Sequence, residues 1–403
     1  MAWNIGANDV ANAMGTSVGS GALTLTAAVV LAGIFEFAGA TLVGSHVTET
    51  LRKGILDPGL FALEGGAFGE QGPRLLMLGM VAALLSAGVW LQIATTFGLP
   101  VSTTHSIVGA IIGFGIMVAG TTAVEWGKVV QIAASWVVSP LLGGLIGAGM
   151  FLFVRREILR DDDPVGAARR WGPHLIGLVA FVLVLSFMYE ALGNVVREPT
   201  WWMAGLVAAG MAGLAFVGSW IGLRRIVPRS PDPFAYVERV FARLQIATAC
   251  VVAFAHGAND VANAVGPLAA VVQIAETGTV LEQAAVPAWI LVLGAVGIIV
   301  GLATWGYKVI ATVGRKITEL TPTRGFSAEF GTATTVLVAS RLGLPVSTTH
   351  TLVGAVIGVG LARGLGALDL RVVGRIVNSW IVTIPIAAVL SALFFVLLRA
   401  WLA

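Results

Sequence analysis

The stretch Gly6-Ala-Asn-Asp-Val-Ala-Asn-Ala13 decides how this chain is read, because it returns unchanged as Gly257–Ala264, 251 positions later. A second block, GLPVSTTH at Gly98–His105, returns as Gly343–His350, 245 positions later. Between the two, GSHVTETL (Gly44–Leu51) resembles GRKITELT (Gly314–Thr321), and Ser135-Trp136 resembles Ser379-Trp380. Two eight-residue identities in the same order mark an internal duplication. Residues 1–154 form the first repeat, 244–403 the second, and 155–243 a connector holding a two-helix hairpin at 173–222.

Composition sets the medium. Of 403 residues, 57% are hydrophobic, only 11% are charged, and the mean hydropathy is +0.91. An ordinary soluble domain carries about 25% charged residues, so the chain belongs in a lipid bilayer. The 51 glycines suit close helix–helix contact there. With 24 basic against 21 acidic residues there is no electrostatic footprint for nucleic acid. Cys250, the single cysteine, excludes an internal disulfide and a cysteine-built metal cluster. No secretory signal pattern opens the chain.

A membrane helix needs about 20 mostly apolar residues. Long apolar stretches run over 22–44, 75–98, 129–154, 173–192, 201–222, 287–313 and 373–400, with shorter ones at 104–120, 326–343 and 349–366. The segments 4–18 and 244–270 carry polar clusters instead. The Arg-rich loops 155–172 and 223–243 read as cytoplasmic, and 271–286, without Lys or Arg, as external. The expected fold is therefore an all-α, polytopic membrane protein with broken or re-entrant helices. Its two repeats have inverted topology if an odd number of passes precedes the second. That holds if both polar elements of each half span or both are re-entrant, and fails if only one is. Loop charge favours inversion, with 314–325 inside and 45–74 outside, although Arg52, Lys53 and Arg74 oppose it.

In GLPVSTTH, proline followed by Ser and Thr predicts a capped helix start. Free N–H groups and the positive dipole end make such a start an anion site. Ser102, Thr103, Thr104, Ser347, Thr348 and Thr349 add hydroxyl donors without adding charge. Two such ends meeting on a pseudo-two-fold axis would surround one tetrahedral oxyanion; ordinary capping is the plainer reading. In GANDVANA the aspartates need a reason. A charge at mid-membrane costs at least ~2.5 kcal/mol, so Asp9 and Asp260 are expected to be cation ligands, of sodium above all, or proton carriers. Asn8 with Asn12, and Asn259 with Asn263, share helix faces. Their amides take an anion through nitrogen or a cation through oxygen. Gly6 and Gly257 are expected to permit broken helix. Glu36 and Glu329 are single carboxylates in apolar surroundings, while His105, His256 and His350 abut the motifs as relay or structural histidines.

These motifs, with TELTPTRGFSAEF at Thr318–Phe330, resemble those of the inorganic phosphate transporter (PiT) family over nearly the whole chain. The resemblance implies inverted repeats and phosphate symport driven by sodium or protons, with some members carrying sulfate. It places functional residues on Asn8, Asp9, Glu36, Ser102, His256, Asn259, Asp260, Glu329 and Ser347. Phosphate binding is then expected at Asn8, Asn259 and the six hydroxyls, and cation coupling at Asp9, Asn12, Glu36, Asp260, Asn263 and Glu329. No resident cofactor is expected, only co-transported sodium or protons. The setting is the cell's inner (plasma) membrane, with a homodimer left open. A sulfate permease of the same fold and an ion channel are the rivals, and an enzyme fits least. The second GANDVANA follows a long helical stretch and the first only five residues. Roughly fifteen to twenty-five apolar residues upstream of Met1 are therefore expected in the native gene.

Overall fold

The structure, a computed structural model, describes all residues except 45–54, 191–199, 227–230, 282–285, 342–345 and 403. Among the described residues the regular structure is helical, apart from one isolated bridge, Leu56 to Val124. The first repeat holds α1 (Ala2–Gly19), α2 (Leu25–Leu42), α3 (Gly72–Thr96), α4 (Thr103–Ala119) and α5 (Trp126–Val154). The connector contributes α6 (Pro164–Glu190) and α7 (Trp201–Arg224). The second repeat holds α8 (Pro233–Asp260), α9 (Ala262–Thr277), α10 (Ala288–Trp305), α11 (Tyr307–Arg315), α12 (Pro322–Arg341), α13 (Thr348–Arg363) and α14 (Leu370–Leu402). Eight segments among the described residues are long and apolar enough to cross a membrane. At 17 and 16 residues, α4 and α13 fall short of the ~20 that a span needs, and both are buried along most of their length.

The polar loops are shorter than their composition suggests, because each hides a helix start. In 155–172 a turn of π-helix at Arg155–Leu159 extends α5, and α6 already begins at Pro164. There the Asp163 carboxylate accepts from the Gly166 amide at 3.0 Å. In 223–243, Asp232 accepts from the Phe234 amide at 2.9 Å with Pro233 in the first turn, so α8 starts eleven residues before the expected 244. The apolar run 287–313 is also two helices, divided at Gly306. Arg52, Lys53 and most of GSHVTETL lie outside the described residues.

Glycine in GANDVANA serves contact, not breakage. Both α1 and α8 run as helix through Gly6 and Gly257. A Cβ on Gly6 would sit 1.8 Å from the carbonyl oxygen of Ile298 in α10, and one on Gly257 2.2 Å from that of Glu36 in α2. The backbones touch at these crossings, as small residues allow in membranes. The interruption comes four residues after Gly257, at Val261 between α8 and α9, and Pro267 lies inside α9.

The halves trade partners. Helix α1 packs on α10 and its counterpart α8 on α2; α4 packs on α14 and its counterpart α13 on α5; α3 packs on α14 and its counterpart α12 on α5. This exchange is the one that a two-fold relation between the repeats would give.

Candidate functional site

Ser102 and Ser347 are the caps the sequence predicts. Ser102 Oγ accepts from the His105 amide at 3.1 Å, and Ser347 Oγ from the His350 amide at 3.2 Å. Accepting leaves each hydroxyl proton free to donate. The first-turn amides of α4 and α13 have no intrahelical acceptor, so each helix directs donors and its dipole toward the centre.

Two asparagines cross between the repeats to meet these ends. Asn12 Nδ2 donates to Thr348 Oγ1 (3.3 Å) and Thr349 Oγ1 (2.8 Å). In the mirror arrangement, Asn263 Nδ2 donates to Thr103 Oγ1 (3.2 Å) and Thr104 Oγ1 (3.4 Å). The threonines pass the contact on: Thr349 Oγ1 donates to Asp9 Oδ1 at 3.1 Å, and Thr348 Oγ1 to Asp260 Oδ2 at 2.9 Å. Because the amide nitrogens face hydroxyls, the Asn12 oxygen is turned away. Asn12 Oδ1 is buried without a donor.

His256 of α8 ties the carboxylates together. Its Nδ1 lies 3.1 Å from Glu36 Oε1, and its Nε2 lies 2.8 Å from Asp260 Oδ2 and 4.0 Å from Asp9 Oδ2. The Asp260 contact is short but off the ring N–H direction, so Nε2 makes no formed hydrogen bond. Ligand atoms of Asp9, His256 and Asp260 all fall within 4.8 Å of one another. Asp9 Oδ2 and Glu36 Oε2 are buried with no donor. An uncompensated buried carboxylate is costly by several kcal/mol; a cation beside Asp9 Oδ2 and Asn12 Oδ1 would remove that cost. Oxygen donors of this kind suit a hard cation.

Glu329 is different. Its Oε1 accepts from Thr16 Oγ1 (2.6 Å), Ser17 Oγ (2.7 Å) and Gln245 Nε2 (3.1 Å), and its Oε2 from Thr248 Oγ1 (2.6 Å). Hydrogen bonds to a charged group are worth about 1.5–3 kcal/mol each, so four of them largely offset its burial. The sequence does not single out Thr16, Ser17, Gln245 and Thr248, though it carries a signal for them. Thr16 lies one turn beyond Asn12, and Gln245, Thr248 and His256 share a face of α8.

Not every expected residue faces the centre. Asn8 is engaged by its own repeat: Nδ2 donates to Thr95 Oγ1 (2.9 Å) and the Leu99 carbonyl (3.0 Å), while Oδ1 accepts from the Val101 amide (3.1 Å). It fastens the loop leading into α4 and has one acceptor lone pair to spare. Asn259 donates to Asp260 Oδ1 at 2.7 Å and lies 3.5 Å from the Val346 carbonyl. His105 and His350 stand edge to face, ring centroids 4.3 Å apart, with His105 tilted against Trp136 and His350 stacked on Trp380, each at 3.7 Å. Of the three histidines, only His256 meets the carboxylates.

The phosphate transporter family matches residues 5–391. A protein of Pyrococcus abyssi that bears the name phosphate permease is 49% identical over 99% of this chain and 95% of its own length. The chloroplastic inorganic phosphate transporter 2-1 of Arabidopsis thaliana is 44% identical over 98% of this chain and 70% of its own length. A solved structure described as the sodium-dependent phosphate transporter superposes with a TM-score of 0.91 at 43% identity, covering 99% of this chain and 96% of that one. The chain, a multi-pass membrane protein and not an enzyme, belongs to the phosphate transporter family.

Proposed function

We propose that this protein imports inorganic phosphate across the cell's inner membrane by symport with sodium, alternating access around a single anion site where α4 and α13 meet. The observation that carries the reading is the reciprocal crossing of Asn12 and Asn263 onto the threonines of the opposite repeat. It draws two capped helix starts and two aspartates into one buried centre. Ser102, Ser347, the four threonine hydroxyls and the first-turn amides supply donors for a tetrahedral oxyanion. No Lys or Arg lies in the motifs, so a phosphate dianion entering beside Asp9 and Asp260 needs accompanying cations. Their entry with the anion is the physical basis of coupling. The orphaned oxygens Asp9 Oδ2 and Asn12 Oδ1 mark where the first would sit.

Inverted repeats fit this mechanism, since exchanging the conformations of two equivalent halves opens the centre to each side in turn. Proton coupling is a second reading, favoured by the complete burial of Glu329, a carboxylate that an entering proton would neutralise. Phosphate uptake into proteoliposomes under a sodium gradient or a pH gradient, applied separately, tests the choice. Excess sulfate in the same assay tests the anion: a sulfate permease would be competed by it and the proposed phosphate importer would not.

A further inference from the structure

Between α5 and α12 lies a cavity of about 260 Å³ that belongs to neither the anion site nor the carboxylate cluster. Ser135, Ser139, Thr335, Ala339 and Val346 form its buried floor, and Val138 and Val338, exposed on the apolar outer faces of their helices, frame its mouth. Aligning the repeats on GLPVSTTH explains why it exists. Position 335 is the equivalent of position 90, 245 residues earlier, and aligning Trp136 with Trp380 makes Ser139 the equivalent of Thr383. In the α3–α14 contact the Trp90 indole fills this space, and its Nε1 donates to Thr383 Oγ1 at 3.0 Å. In the α5–α12 contact threonine replaces that tryptophan. Thr335 Oγ1 donates to the Gly331 carbonyl of its own helix, so its proton is not offered across the gap. Ser139, 2% exposed, is left with no hydrogen-bond partner for its Oγ. One repeat has a filled slot and the other an open slot with its acceptor still in place.

We propose that this slot is a second ligand site, which takes a neutral, planar two-ring aromatic with one N–H donor, of indole size, entering from the bilayer. The walls are largely apolar, one buried polar atom fixes orientation, and the volume lies just below the range for drug-sized ligands. A bound indole would tie α12 to α5 as Trp90 ties α3 to α14. Through Val346 it would abut Ser347, the cap of α13.

The test is binding, so it is independent of the phosphate reading. 5-Fluoroindole is titrated into the protein in lipid nanodiscs and followed by fluorine NMR against empty nanodiscs. One saturable site per chain is expected, with Kd on the order of 100 μM for a ligand this small. Thr335→Trp, which supplies the missing indole from the protein, should abolish it. Val338→Trp, on the lipid-facing mouth where folding is least at risk, should block entry. Ser139→Ala should weaken binding about tenfold by removing the acceptor without filling the slot. No saturable signal above empty nanodiscs, as when a lipid chain already holds the slot, would overturn the proposal. So would binding that persists unchanged in Val338→Trp and Ser139→Ala.

Discussion

Where α8 crosses α2, His256 faces Glu36; where α1 crosses α10, the equivalent positions hold Ile5 and Ile298. The equivalence rests on backbone contacts. Gly257 meets the Glu36 carbonyl as Gly6 meets that of Ile298, and Gly39 meets the Phe254 carbonyl as Gly301 meets that of Trp3. The two crossings are built alike, yet one is apolar and the other holds a buried histidine beside a carboxylate. An isoleucine pair stabilises a crossing by burial alone, whereas a buried ionisable pair often does no better than break even. The polar pair is therefore hard to explain as a stabilising device. Asparagines, aspartates, threonines and helix starts obey the duplication, whereas His256, Glu36 and Glu329 depart from it.

The sharpest way to break this comparison is to make the crossings equal. The double substitution His256→Ile with Glu36→Ile should cut phosphate uptake by about 100-fold or more. The melting temperature should hold or rise, because an apolar pair replaces a buried ionic one. Uptake near wild type in that variant would mean the asymmetry is structural decoration. Next in size are Asp9→Asn and Asp260→Asn. Each removes charge from the proposed cation position and should weaken apparent sodium affinity by about tenfold to a hundredfold, measured as sodium titrations of uptake. Asp9 has an orphaned oxygen and Asp260 does not, so the Asp9 variant should suffer more.

Ser102→Ala and Ser347→Ala should each weaken apparent phosphate affinity about tenfold, with roughly 1 kcal/mol of stability lost with the cap. Melting curves separate the two effects, and a stability loss without an affinity loss would reduce the hydroxyls to caps. The smallest expected difference lies inside the symmetric frame. Asn12→Ala and Asn263→Ala break equivalent crossings and should have similar effects on phosphate affinity, within about threefold of each other. A large disparity would show that the frame, too, is functionally lopsided.

What was legible in the sequence follows from this division. Identical blocks announce themselves, so the duplication, the caps at Ser102 and Ser347 and the burial of Asp9 and Asp260 could be read directly. Glu329 could be noticed as a lone carboxylate, but its shell comes from Thr16, Ser17, Gln245 and Thr248, which no repeat flags. Asn8 and Asn12 look interchangeable one turn apart. Only packing decides that Asn8 fastens its own loop while Asn12 reaches the other repeat. Gly6 and Gly257 suggested broken helix because glycine allows it, whereas the fold uses their lack of a side chain. The helix starts at Pro164 and Pro233 were obscured by arginines, which extend away from apolar surfaces and give early turns the composition of loops.

In the proposed mechanism sodium and phosphate share one buried site between the halves. Purified protein in liposomes, with equal pH on both sides and an inward sodium gradient, should accumulate labelled phosphate saturably and stop when potassium replaces sodium. The variant lacking His256 and Glu36 should fail in the same assay while remaining folded. Phosphate accumulation driven by a pH gradient in the complete absence of sodium would contradict the account.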